Sequence, residues 1–248
     1  DHDELVDHPV EMGTWTLYAF EACGVIHEVA ITGMHTCDGE RLCRDLKAIC
    51  EHHIRFFGEP APMDRYLFQT TVVGDGYGGL EHRSSTALIA KRDDLPQVGD
   101  DPDSLSEGYR RFLGLCSHEY FHTWNVKRIK PAVFLPYDLN QEGHTTLLWA
   151  FEGVTSYFDD LGVLRPGCMK PADWLELMGQ TITRVRKGSG RGLQSLSDSS
   201  YDAWTKFYRQ DENAPNAIVS YYAKGALAAL ALDLTLRKET DGDVALDD

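Results

Sequence analysis

Two histidines four residues apart, with a glutamate between them, are the residues of this chain best suited to chemistry. The segment Ser117-His118-Glu119-Tyr120-Phe121-His122 contains the pattern H-E-x-x-H. On a helix, positions i and i+4 lie one above the other, so both imidazoles project to the same side. Two neutral imidazoles so placed can bind one Zn2+ at about 2.0–2.1 Å. Glu119, one residue after the first histidine, is positioned to act on a water at the metal instead of binding the metal. Tyr109, Phe112, Leu113, Cys116 and Tyr120 make an apolar stripe able to hold such a helix in a core.

A catalytic zinc takes three protein ligands and keeps one position open. The next strong helical pattern contains Trp149-Ala150-Phe151-Glu152-Gly153-Val154-Thr155, with Glu152 thirty residues beyond His122. A loop containing Pro131, Pro136 and Gly143 separates the two. A helix returning antiparallel beside the first would present Glu152 to the metal. Asp159, two helical turns further on and on the same face, can accept the second ring N–H of a ligating histidine and fix its tautomer.

The elements that must position these groups read as strands first and helices afterwards. Thr14 to Phe20, Gly24 to Ile31, Arg65 to Val73 and Ser85 to Lys91 are rich in β-branched and aromatic residues and predict strands. Asp38 predicts the cap of a helix running to about Phe57, with Leu42, Leu46, Ile49 and Phe56 as its apolar stripe and Gly58-Glu59-Pro60 as its stop. An acidic stretch from Arg92 to Glu107, including Asp93, Asp94, Asp100, Asp101 and Asp103, predicts a solvated loop. Helices are expected at about Ser104–Trp124, Thr145–Leu164, Pro171–Lys187 and Ser220–Lys238, with loops at Gly188–Gly192 and Ser195–Ser200. The expectation is an α+β chain: an N-terminal α/β lobe with a mixed sheet, residues 1–130, ending in the H-E-x-x-H helix, then a helical lobe, 131–248, carrying the third ligand.

Composition narrows the function class. Lys and Arg number 24 against 39 Asp and Glu, a formal net charge of −15. Such a balance disfavours nucleic acid and anionic membrane surfaces. No apolar run reaches the 18 or so residues that span a bilayer; the longest, Gly225 to Leu232, soon meets Asp233. The six cysteines form no C-x-x-C pair, so they are read as reduced, partly buried thiols. His52 and His53 read as packed or exposed, and His82 and His144 as nearer a cleft. No G-x-S-x-G element is present, which disfavours a serine hydrolase. Gly74-Asp75-Gly76-Tyr77-Gly78-Gly79 fits G-x-G-x-x-G, yet the next residues, Leu80 to Thr86, look like a strand and not the helix a dinucleotide site requires. The opening Asp1-His2-Asp3-Glu4 reads as the start of a fragment; compartment and oligomeric state are not written in these residues.

The motif and its surroundings resemble the gluzincin zinc metallopeptidases, and within them the glycyl aminopeptidase family. The likeness runs through His118-Glu119-Tyr120-Phe121-His122-Thr123-Trp124-Asn125-Val126-Lys127-Arg128-Ile129-Lys130-Pro131, continues in Leu148 to Tyr157, and returns in Asp202-Ala203-Trp204 and Tyr221-Tyr222-Ala223-Lys224-Gly225. It implies a thermolysin-like zincin catalytic domain, cut before a C-terminal PDZ domain, with Zn2+ on His118, His122 and Glu152 and with Glu119 as general base and proton shuttle. Tyr222-Ala223-Lys224-Gly225 is similar to the Tyr-x-Lys-Gly of alanyl-aminopeptidase-like relatives, implying Tyr222 as oxyanion donor, with adjacent Tyr221 as the alternative. Gly78-Gly79-Leu80-Glu81-His82 stands where those relatives have Gly-Ala-Met-Glu-Asn, on an edge strand that holds substrate. Gly79 would then line the substrate and Glu81 would bind its free α-ammonium, although the sequence departs from the pattern at Ala, Met and Asn. The implied activity is removal of N-terminal residues, glycine or alanine, from a peptide substrate. The alternatives are a zinc endopeptidase and a non-catalytic binding module on the same fold.

Overall fold

The structure, a computed structural model, describes residues 2–102, 104–136, 138 and 140–248, the side chain of Asp3 excepted. Asp103 of the acidic loop lies outside the described residues. The chain divides into two units, Asp1–Arg128 with Asp159–Lys170, and Ile129–Phe158 with Pro171–Asp248.

In the first unit a short helix, α1 (His2–Val6), precedes the hairpin β1 (Thr16–Ala22) and β2 (Val25–Thr32). Cys23 and Gly24 turn the chain with φ of +47° and +79°. Two successive positive φ values give the hairpin turn whose twist matches that of the strands. Both strands therefore run right up to the turn, with Ala22 paired to Val25, and β1 lies two residues further along than its composition suggests.

α2 (Gly39–Phe57) starts where the Asp38 carboxylate accepts from the Arg41 N–H at 3.0 Å, and it stops at Gly58, φ +97°. Leu42, Leu46 and Ile49 are buried, whereas Phe56 is only half-buried. β3 (Arg65–Val73), β4 (Gly78–Glu81) and β5 (Ser85–Lys91) complete a sheet in the order β1-β2-β3-β5-β4. The sheet is mixed: β2–β3 and β3–β5 are parallel, while both edge pairs are antiparallel. The stretch expected as one strand over Leu80–Thr86 is two, turned between Glu81 and Ser85, where His82 N–H donates to the Ser85 carbonyl at 2.9 Å. The glycine-rich run before it leads into β4, so no helix N-terminus waits there for a phosphate.

α3 (Glu107–Phe121) is capped by Ser106, whose hydroxyl accepts from Tyr109 N–H at 3.0 Å, and it is shorter at both ends than its pattern predicts. Its stripe Tyr109, Phe112, Leu113, Cys116 and Tyr120 is fully buried. His27 of β2 ties the sheet to this helix. Its Nδ1 donates to the Val25 carbonyl at 2.9 Å, which leaves Nε2 to accept from the Tyr120 hydroxyl at 2.8 Å. Burial pushes the His27 pKa down to about 4.

In place of one helix from Thr145, a π-helical turn over Trp149–Gly153 precedes α4 (Thr155–Leu164), which contributes 155–158 to the second unit and 159–164 to the first. A π turn carries an extra residue in the helical ladder and is frequent at functional sites. α5 (Pro171–Lys187) begins on a proline, the residue whose missing N–H costs nothing there. The expected loop at Ser195–Ser200 is a helix, α6 (Leu196–Tyr201). Ser195 Oγ accepts from Asp198 N–H at 3.0 Å while Asp198 accepts from Ser195 N–H at 3.4 Å, a reciprocal cap that outweighs the turn-like composition. α7 (Ala214–Ala217) and α8 (Tyr221–Glu239) follow, the latter capped by Ser220. The stretch Ala214–Glu239 is long and apolar enough to cross a membrane by length and composition alone. It is nevertheless broken between α7 and α8, and it carries buried Asp233, which accepts from Tyr157 Oη at 2.6 Å.

Candidate catalytic and metal site

α3 and the turn after it bring His118, Glu119 and His122 together in the first unit. His118 Nδ1 lies 2.9 Å from Asp159 Oδ2, and His122 Nδ1 lies 2.7 Å from the Asn125 carbonyl. A carbonyl can only accept, so His122 carries its hydrogen on Nδ1; the Asp159 carboxylate, as acceptor, imposes the same tautomer on His118. Both Nε2 atoms are then lone-pair acceptors, and they stand 3.0 Å apart. Two acceptor lone pairs at that distance repel unless a cation lies against both. The donor set fits a metal such as zinc on chemical grounds: two neutral imidazoles, each oriented from behind by an oxygen.

Glu119 is 4% exposed and faces the edge strand β4. A Cβ on Gly79 would lie 2.3 Å from Glu119 Oε1, so only glycine lets the strand backbone approach the carboxylate. Glu81, two residues on, shares that face of the strand by the two-residue alternation of side chains, and it is half-buried. His82 is buried, with Nδ1 donating to the Leu80 carbonyl at 3.0 Å. Beside Asp159, burial and then the neighbouring Asp159 charge push the Asp160 carboxyl up to about 8.

The second unit brings Glu152, Tyr221 and Tyr222 into one neighbourhood. Glu152 sits in the π-helical turn, half-buried. Tyr221 and Tyr222 open α8, their rings stacked with centroids 4.5 Å apart. Burial first, and the Glu152 charge second, raise the Tyr222 phenol well above the ordinary range, so it holds its proton. Tyr221 is 1% exposed and its hydroxyl donates to Tyr208 Oη at 3.1 Å; Tyr208 Oη is 3.0 Å from Tyr222 Oη. In the rest of Tyr-Ala-Lys-Gly, Lys224 Nζ donates to the Arg191 and Gln194 carbonyls at 2.9 and 3.2 Å. Gly225 meets Gly153 backbone to backbone, since a Cβ on Gly153 would lie 2.5 Å from Gly225 Cα. His144 has its two ring nitrogens on the Tyr201 carbonyl and Glu142, both at 3.1 Å.

Sequence reasoning missed Tyr208 and the contacts behind Ser117. Tyr208 lies in a stretch with no helical or strand period, so nothing local flags it. From sequence His53 reads only as packed or exposed, and its partner Ser117 lies 64 positions away.

The sheet, the H-E-x-x-H helix and the helices that follow define a zincin-like α+β fold, the class seen in zinc metallopeptidases. A crystal structure of the M1 zinc metallopeptidase of Deinococcus radiodurans superposes with a TM-score of 0.55 at 16% identity, over 95% of this chain and 43% of that one. A two-domain M1 zinc metallopeptidase variant bound to L-arginine gives 0.53 at 16%, over 92% and 42%. At that identity these two speak for the fold alone. An aminopeptidase N family protein from Idiomarina loihiensis superposes with a TM-score of 0.92 at 49% identity, over 95% of this chain and 40% of that one. Residues 111–228 match the model of the M61 glycyl aminopeptidase family. The two findings together support the glycyl aminopeptidase family of zincins. The chain spans 40% of the length of the Idiomarina protein. None of the curated proteins matches it.

Proposed function

We propose that this chain is the catalytic part of a zinc aminopeptidase that releases N-terminal residues, glycine or alanine foremost, from peptides. The observation that carries the reading is the pair of oriented imidazoles with opposed Nε2 atoms beside a buried glutamate. His118, His122 and Glu152 are proposed as the zinc ligands, being a group of the residue types a gluzincin site uses. Asp159 orients His118. When bound, zinc supplies Lewis acidity that polarises the scissile carbonyl and makes water acidic enough to attack near neutral pH.

The chain's own residues do the rest. Glu119 takes the proton of the attacking water and passes it to the departing amine, so the C–N bond breaks without a covalent acyl intermediate. Tyr222, proton retained, donates a hydrogen bond to the carbonyl oxygen as negative charge gathers on it. Tyr221 is less suited, because its hydrogen is already given to Tyr208. A peptide added to the free edge of β4 would lie along Gly79, with its ammonium end at Glu81.

Turnover of glycyl and alanyl amides by the zinc-loaded chain, compared with the same peptides N-acetylated, tests the reading. Cleavage confined to free N-termini, lost on Glu81→Ala, supports an aminopeptidase. Equal cleavage of acetylated peptides would replace it with an endopeptidase, and no cleavage of either by chain that binds zinc would leave a binding module.

A further inference from the structure

The contacts behind the motif helix extend the site by a layer, and their role rests on the zinc reading. His53 of α2, 1% exposed, has its Nε2 2.8 Å from the hydroxyl of Ser117 on α3. That hydroxyl donates to the main-chain carbonyl of Asp159 on α4 at 2.7 Å. A serine hydroxyl has one hydrogen, and here it goes to Asp159. The serine oxygen must therefore accept from His53, which carries its own hydrogen on Nε2. His53 Nδ1 is buried with no hydrogen-bond partner among the described residues, which agrees with a nitrogen that carries no hydrogen. Burial, assisted by His52 and Arg165, holds the His53 pKa well below the ordinary histidine range, so the ring is neutral and its direction of donation is fixed.

Asp159 is thereby held at three atoms. Its carbonyl accepts from Ser117 at 2.7 Å, its Oδ1 from the Asp160 N–H at 2.5 Å, and its Oδ2 from His118 Nδ1 at 2.9 Å. Ser117 and His118 are consecutive, so one dipeptide of the motif helix grips both the backbone and the carboxylate of a single aspartate. The close approach depends on Gly162, about one turn beyond Asp159. A Cβ there would lie 2.4 Å from His53 Cε1, 2.5 Å from His53 Nε2 and 2.7 Å from Ser117 Oγ. The absence of a side chain at 162 leaves the room in which the His53–Ser117 bond forms.

We infer that His53 and Ser117 are positioning residues for the metal site: the relay His53–Ser117–Asp159 fixes the Asp159 carboxylate on His118 Nδ1 and so holds His118 with Nε2 presented to the cation. Neither residue touches substrate or metal. Their effect passes through Asp159, and it should appear in metal affinity before it appears in turnover.

The experiment is a zinc competition titration of the whole chain against a chromophoric chelator, for wild type, His53→Leu, Ser117→Ala and His53→Gln. Thermal melts accompany it to establish that each variant folds. Cobalt-substituted absorption spectra report ligand geometry directly. His53→Leu and Ser117→Ala break the relay and should weaken zinc measurably, by up to the roughly 10–100-fold that loss of a ligand's own partner, here Asp159, would cause. His53→Gln, whose amide N–H can replace Nε2–H, should restore affinity to within about threefold, with a cobalt spectrum like that of the wild type. Should His53→Leu fail to fold, Ser117→Ala decides, because it removes the hydroxyl with little change in volume. Unchanged affinity in the relay variants of a zinc-binding chain overturns this inference alone. Equal weakening in His53→Gln and His53→Leu also overturns it, since only packing would then matter. A wild-type chain without zinc overturns the ligand reading and takes this inference with it.

Discussion

At the scale of single residues, Glu119 and Gly79 act as one feature, because the glutamate occupies the volume a side chain at 79 would fill. Glu119→Gln keeps shape and removes the proton acceptor. We predict unchanged zinc binding with kcat lowered about 10²–10⁴-fold, as expected for an acid–base group; metal loss in that variant would make Glu119 a ligand and break the assignment. Gly79→Ala should also depress kcat with zinc retained, since the new methyl displaces the carboxylate and not the imidazoles. Steady-state kinetics and metal analysis on the same preparations separate these outcomes. Tyr222→Phe should cost about 10²-fold in kcat, the loss of one oxyanion donor, and a normal rate there would end that role. His118, Glu119 and His122 were legible because the helical period converts spacing in the sequence directly into a shared face. Tyr208 and His53 were not, because each meets its partner from a different segment and no local period records the meeting.

Among the elements, the join of β2 to α3 through His27 makes stability depend on pH. His27 has an ordinary pKa near 6.5 when unfolded and about 4 when folded, because burial opposes its charge. The folded pKa is the lower of the two, so the neutral ring's contribution is complete above about pH 6.5. It is lost as pH falls towards 4, where the unfolded chain binds a proton that the folded chain refuses. The difference corresponds to about 3 kcal/mol. Urea midpoints across this window should fall with pH, and His27→Gln should reduce the slope, leaving the part due to buried His53; a wild-type slope in that variant would remove His27 as a cause. Gly153 and Gly225 set a second dependence. A methyl at 153 has no room against Gly225, so Gly153→Ala should destabilise by about 1–3 kcal/mol and disturb Glu152 and Tyr222 together. Strand and helix identities were readable where period and cap agreed, as in α2 with Asp38 and β3 over Arg65–Val73. The π-helical turn was hidden, because a pattern scan assumes an unbroken 3.6-residue period across Thr145–Leu164. α6 was hidden as well, because Ser195, Ser197, Asp198, Ser199 and Ser200 have the composition of a loop, and only the reciprocal Ser195–Asp198 bonds reveal a helix start.

For the whole molecule, zinc is expected to be part of the stability as well as of the chemistry. Binding to the folded chain alone adds about 2.7 kcal/mol at a free zinc level a hundredfold above Kd. For a chain of this size that is a rise of roughly 5–10 °C in the apparent melting midpoint, read by calorimetry with and without chelator. The formal net charge of −15 sets the general field around the chain and leaves the choice of substrate to the site. The central claim is a three-ligand zinc site, and the most direct measurement of it is zinc content per chain after metal-free dialysis and controlled zinc addition, in the wild type and in Glu152→Ala. The account predicts one tightly held zinc in the wild type and markedly weaker binding in the variant. A wild-type chain that holds no zinc, or a Glu152→Ala chain that holds it as tightly as the wild type, would contradict it.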